Sequence, residues 1–78
     1  MSDALAAAEA QLTKLETELS TAAAHLRDCK AHLRNREIPR YAAHLLATQG
    51  HVLNAQNILN ELAIAHASRS IPNPEFNP

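Results

Sequence analysis

Tyr41–Asn60, YAAHLLATQGHVLNAQNILN, contains no Asp, Glu, Lys or Arg, although charged residues crowd the segment before it. Read as a helix, it carries two apolar stripes. Tyr41, Leu45, Val52, Ala55, Leu59 and Leu62 form one; Ala42, Leu46, Leu53 and Ile64 form a second beside it. Together they span roughly 200°, about twice the arc a helix needs to dock on one neighbour. Such a helix expects more than one partner, and its own chain supplies only one.

That neighbour lies upstream. From Asp3, placed to cap a helix and meet its positive end, a heptad runs without interruption. Leu5, Leu12, Leu19, Leu26 and Leu33 occupy its a positions, and Ala8, Leu15, Ala22 and Cys29 its d positions. Acids Glu9, Glu16 and Glu18 come early and bases Arg27, Lys30, Arg34 and Arg36 late, as the helix dipole favours. The pattern breaks at Asn35-Arg-Glu-Ile-Pro39. Proline disfavours helical geometry at Ile38 but suits the first turn of a new helix. A connection this short makes the two helices antiparallel.

The expected fold is therefore all-α: an antiparallel helical hairpin, or two-helix coiled coil, over residues 1–67. Helix 1 covers about 3–35, the turn 36–39 and helix 2 about 39–67. A non-helical, flexible tail with three prolines follows over 68–78, where Ile71 and Phe76 are its apolar residues. An antiparallel seam pairs Leu33 with Tyr41, Cys29 with Leu45, Leu26 with Thr48 and Ala22 with Val52. It continues with Leu19 and Ala55, Leu15 and Leu59, and Leu12 and Leu62. This seam consumes the apolar stripe of helix 1 and the first stripe of helix 2. Ala42, Leu46, Leu53 and Ile64 are left as the candidate partner-binding face.

Composition narrows the function classes. With 78 residues, one Tyr, one Phe and no Trp, the chain has room for a thin Leu/Ala core only. A net charge of −1 gives no global attraction to nucleic acid or an anionic membrane. One cysteine excludes an internal disulfide and suits a reducing compartment. The opening residues lack the basic end and apolar run of a signal peptide, and no segment is apolar enough to span a bilayer. A cytoplasmic protein is the expectation.

Two constellations carry possible chemistry. In the register above, His25 faces His51 and His32 faces His44 along one edge, with Cys29 a turn from both His25 and His32. Facing imidazoles there offer zinc ligands or a pH response. The two pairs then stand about 10 Å apart along the axis, too far for one four-ligand site, so no metal or cofactor is assigned. The bases Arg27, Lys30, Arg34, Arg36 and Arg40 form a tip that phosphate could meet. Asp28 and Glu37 dilute it, and nucleic acid is not expected as a partner. No nucleophile–base pair or glycine-rich phosphate loop is present, and catalysis is not expected.

The basic end LRDCKAHLRN, the turn EIPRY and the uncharged helix ending HVLNAQNILNEL together resemble a known family. They are similar to the small co-chaperones of type III secretion needle subunits, the YscE/SsaE-like helical hairpins, over about Leu12–Ile64. The resemblance implies a non-enzymatic role in virulence, in the bacterial cytoplasm. There the hairpin pairs with a tetratricopeptide-like helical-repeat chaperone and keeps a secreted needle subunit soluble. The residues alone leave two alternatives open: a homodimer closing a four-helix bundle as an inhibitor or assembly factor, and a histidine-based metal- or pH-responsive switch.

Overall fold

The structure is a computed structural model that describes residues 2–67. It is all-α: helix α1, Ser2–Arg34, of 33 residues, and helix α2, Ile38–Ala65, of 28 residues, packed against each other as a hairpin. The expected tail 68–78, with Ile71 and Phe76, lies outside the described residues.

α1 contains neither glycine nor proline, and its many Ala, Leu, Glu, Lys and Gln residues are strong helix formers. Asp3 occupies its first turn and His32 and Arg34 its last, matching the dipole at both ends. The helix stops in a Schellman motif. Arg36 takes the left-handed conformation, φ 61°. Its N–H bonds the Leu33 carbonyl at 3.0 Å and the Glu37 N–H bonds the His32 carbonyl at 2.8 Å. Three residues, 35–37, thus reverse the chain. α2 starts at once: Pro39 sits in its first turn, and the Glu37 carbonyl accepts from the Tyr41 N–H at 2.9 Å. Both helices extend to within two residues of the bounds expected from the sequence.

The seam differs from the expected one. The residues turned inward on α1 are Ala8, Gln11, Leu15, Glu18, Ala22, His25, Cys29 and His32. These are the d and g positions of the heptad, rather than a and d. On α2 they are Tyr41, His44, Thr48, His51, Ala55, Ile58 and Leu62. Among the described residues, only Ala22, Cys29 and Ala55 are buried. Leu15, Tyr41 and Leu62 are partly covered, as expected of seam residues. By contrast Leu12, Leu19, Leu26, Leu33, Leu45, Val52 and Leu59, all expected in the core, lie beside the seam. With Leu5, they range from 44% exposed at Leu45 to 58% at Leu5.

The register shifts too. The Cys29 thiol meets the Tyr41 carbonyl at 3.7 Å, where Leu33 was expected opposite Tyr41. Tyr41 thus meets a residue farther from the connection than expected. The Schellman turn explains it: with 34 and 38 already helical, the first facing residues come from His32 and Glu37 onward. The small side chains explain the rotation. Ala22, Cys29 and Ala55 let the two backbones approach, which a row of leucines would prevent. A helix in a four-helix bundle meets its sequence neighbour through flanking positions and turns its largest apolar residues to the bundle centre.

Candidate functional site

The rotated seam sorts the surface into two unlike faces. On α1, Leu12, Leu19, Leu26 and Leu33 each directly follow a seam residue: Gln11, Glu18, His25 and His32. On α2, Leu45, Val52 and Leu59 directly follow His44, His51 and Ile58. An antiparallel pair has an approximate two-fold axis normal to its plane, so equal offsets from the seam fall on the same face. All seven aliphatic side chains therefore share one face of the hairpin.

The predicted partner-binding residues stand further around α2, all exposed: Ala42, Leu46 at 68%, Leu53 at 57% and Ile64 at 78%. A shallow groove is lined jointly by Leu45, Leu46, Val52 and Leu53, with Thr48 and Gln49. The structure thus joins part of the predicted stripe to the face it adds. Gly50 lies on α2 with open space around it: a Cβ built there meets nothing within 4 Å.

The opposite face is polar and cross-linked by side chains. Gln11 Nε2 donates to Glu61 Oε1 at 3.0 Å, and Asn54 Nδ2 to Glu18 Oε1 at 3.3 Å. Between these links and the turn runs a ladder of four imidazoles. His25 stacks on His51 with centroids 5.5 Å apart and planes at 13°. His32 stacks on His44 at 5.0 Å and 21°. These are the two pairs expected from the sequence. Their expected separation does not hold, because His25 and His44 also meet, Nδ1 to Nδ1, at 2.9 Å. The four rings form a continuous zigzag.

Carboxylates anchor both ends. His51 Nδ1 lies 2.7 Å from Glu18 Oε1, and His32 Nδ1 lies 2.7 Å from Glu37 Oε1. An ionised carboxylate only accepts, so each imidazole donates. The bond from His51, then that from Asn54, holds the Glu18 carboxyl below its ordinary value of 4.5. The bond from His32 does the same for Glu37, against the opposing pull of desolvation and with help from Arg40 at 3.7 Å. Asp28 stands beside the middle of the ladder, its Oδ2 3.7 Å from His44 Nδ1.

Cys29, considered with the histidines as a possible ligand, instead points into the seam and is buried. The carboxylate near the rings comes from Asp28, one turn after His25. From the sequence Asp28 figured as an acid diluting the basic tip; the usable signal was His-x2-Asp on the same helical face as a facing histidine. The basic residues Arg27, Lys30, Arg34, Arg36 and Arg40 are all exposed, and Arg40 pairs with Glu37. No helix among the described residues is long and apolar enough to cross a membrane. The chain matches no protein-family model, no curated protein and no solved structure.

Proposed function

We propose that this protein is a non-enzymatic interaction module that supplies two packed helices to a larger helical assembly. One observation carries the reading: the hairpin closes on its small and polar residues and leaves seven aliphatic side chains together on one face. Those side chains, each about half exposed, present on the order of 600 Å² of surface. Leu46 and Leu53 extend this toward the ~800 Å² per partner of a stable interface. A patch of that size stands at the upper end of what monomers expose, which supports reading it as a binding surface.

The form of this function we favour is a co-chaperone that pairs with a tetratricopeptide-like helical-repeat chaperone and helps keep a type III secretion needle subunit soluble. Two features support it: the resemblance of the sequence over about Leu12–Ile64, and a face suited to the concave, helix-lined surface of such a repeat. A second copy of this chain is the alternative occupant. It is favoured by the approximate two-fold symmetry of the face, which lets two hairpins close a four-helix bundle.

Light scattering across a concentration series, wild type beside a Leu19→Gln/Val52→Gln variant, separates the two. The co-chaperone reading expects a monomer alone, and a one-to-one complex on co-expression with a tetratricopeptide chaperone of the same genome. The double variant should lose that complex. A wild-type dimer that the variant abolishes establishes the bundle instead. A monomer whose complex with the chaperone is indifferent to both substitutions refutes the face as the docking surface.

A further inference from the structure

We infer that His25, Asp28 and His44 form a binding site for a divalent transition-metal ion that staples α1 to α2 on the polar face. One ligand atom from each residue lies within 4.8 Å of the others. The Nδ1 atoms of His25 and His44 stand 2.9 Å apart, close enough for one ring to donate to the other, and an ion that displaces that shared proton takes a lone pair from each. The Asp28 carboxylate lies 3.7 Å from the same His44 nitrogen.

Two nitrogens bound to one zinc-like ion at tetrahedral angles lie about 3.3 Å apart. The observed 2.9 and 3.7 Å bracket that spacing, and rotation of the exposed Asp28 side chain brings its oxygen, which lies within 4.8 Å of the His25 ligand atom, to the same range. Imidazole and carboxylate are the donor set of zinc, cobalt, nickel and iron rather than of calcium or magnesium. Three protein ligands leave a fourth position facing solvent beside the exposed Asp28.

The ligating rings are held before any ion arrives. His25 is stacked by His51, which Glu18 anchors, and His44 is stacked by His32, which Glu37 anchors. The carboxylates act one ring removed from the ligands, which extends outward the carboxylate–histidine pairing that metal sites use for orientation. Need points the same way. Only three of the described residues are buried, and small domains with so thin a core commonly add a metal or a disulfide. This chain, with its single cysteine, has no internal disulfide to use. Because the site opens on the polar face, it leaves the apolar docking face free.

The test uses untagged full-length protein, freed of metal by chelation and dialysis. Cobalt(II) uptake is followed by visible absorption and zinc(II) uptake by calorimetry. The expected result is saturation at one ion per chain, with a thermal midpoint that rises with ion concentration. Asp28→Asn and His44→Gln should each weaken binding by about tenfold or more, while His66→Gln leaves it unchanged. Circular dichroism checks the helices of each variant. Asp28 is exposed and outside the seam, so Asp28→Asn remains informative if His44→Gln unfolds. Absence of saturable uptake up to about 1 mM overturns the site. Full affinity in Asp28→Asn also overturns it, by removing the carboxylate, and full affinity in His44→Gln does so by removing the link to α2.

Discussion

Leu19 separates a hairpin closed through its d and g residues from one closed through a and d. The perturbation is Leu19→Ala. At a true seam position this substitution removes buried methyl groups and leaves a cavity, costing ~2–5 kcal/mol, enough to unfold so small a domain. In the structure Leu19 is half exposed. Full burial of a leucine contributes ~1.5–3 kcal/mol, so its remaining contacts contribute about 1 kcal/mol. The space it vacates opens to solvent, so no cavity term adds to this. Alanine is also the better helix former by a few tenths of a kcal/mol. The net loss should therefore be below ~1 kcal/mol. Urea unfolding followed by circular dichroism measures it, at two protein concentrations so that self-association is recognised. A concentration-independent loss above ~2 kcal/mol would place Leu19 in the core and refute the assigned seam. Binding should respond in the opposite proportion. A partner that covers the remaining halves of Leu19 and Val52 gains about 1 kcal/mol from each, so the double Gln variant should bind roughly 30-fold more weakly.

Three further outcomes follow from other positions. Arg36→Gly relieves a left-handed residue at the Schellman turn and should stabilise the hairpin by ~0.5–1 kcal/mol in the same urea assay; destabilisation would mean that the Arg36 side chain supports the turn. Gly50→Ala adds a Cβ in open space on an exposed helix and should stabilise by ~1 kcal/mol without altering partner affinity, and a loss of affinity would reveal a partner backbone pressed against that site. Glu18 has a folded pKa below its unfolded value, so its contribution is present above pH 4.5 and disappears as pH falls through the lower folded value. Glu18→Gln should make stability less steeply dependent on pH in that acid window, and an unchanged slope would show that the His51 and Asn54 bonds add nothing in solution.

The element order was legible because its signals are local. Heptad leucines from Leu5 to Leu33, a proline at 39 and an uncharged periodic segment after it specify two helices and a tight reversal. Which side of each helix faces the other was not legible from the same signals. The largest apolar residues were taken to define the seam, as they do when two helices are the whole assembly. Here Ala22, Cys29 and Ala55 set the approach, and the leucines flank it. That preference depends on backbone distance, which periodicity does not encode. The histidine pairs were legible by facing position, whereas the contact between His25 and His44 and the left-handed Arg36 that closes the turn were not. A non-glycine residue in that conformation leaves no mark in composition. Leu46 and Leu53 were legible as apolar positions beyond the reach of α1, whereas the seven side chains that widen the surface were assigned to the interior.

The buried Cys29 gives the molecule a built-in clock. Its thiol faces the Tyr41 carbonyl near the turn and has almost no accessible surface, so a thiol reagent reaches it when the two helices separate there. With one cysteine in the chain, the modification has a single site. Its rate, compared with that of the unfolded chain, measures how often this end of the hairpin opens. A docked partner or a bound ion that braces the helices would slow the same reaction, and each brace could be timed separately without adding a label.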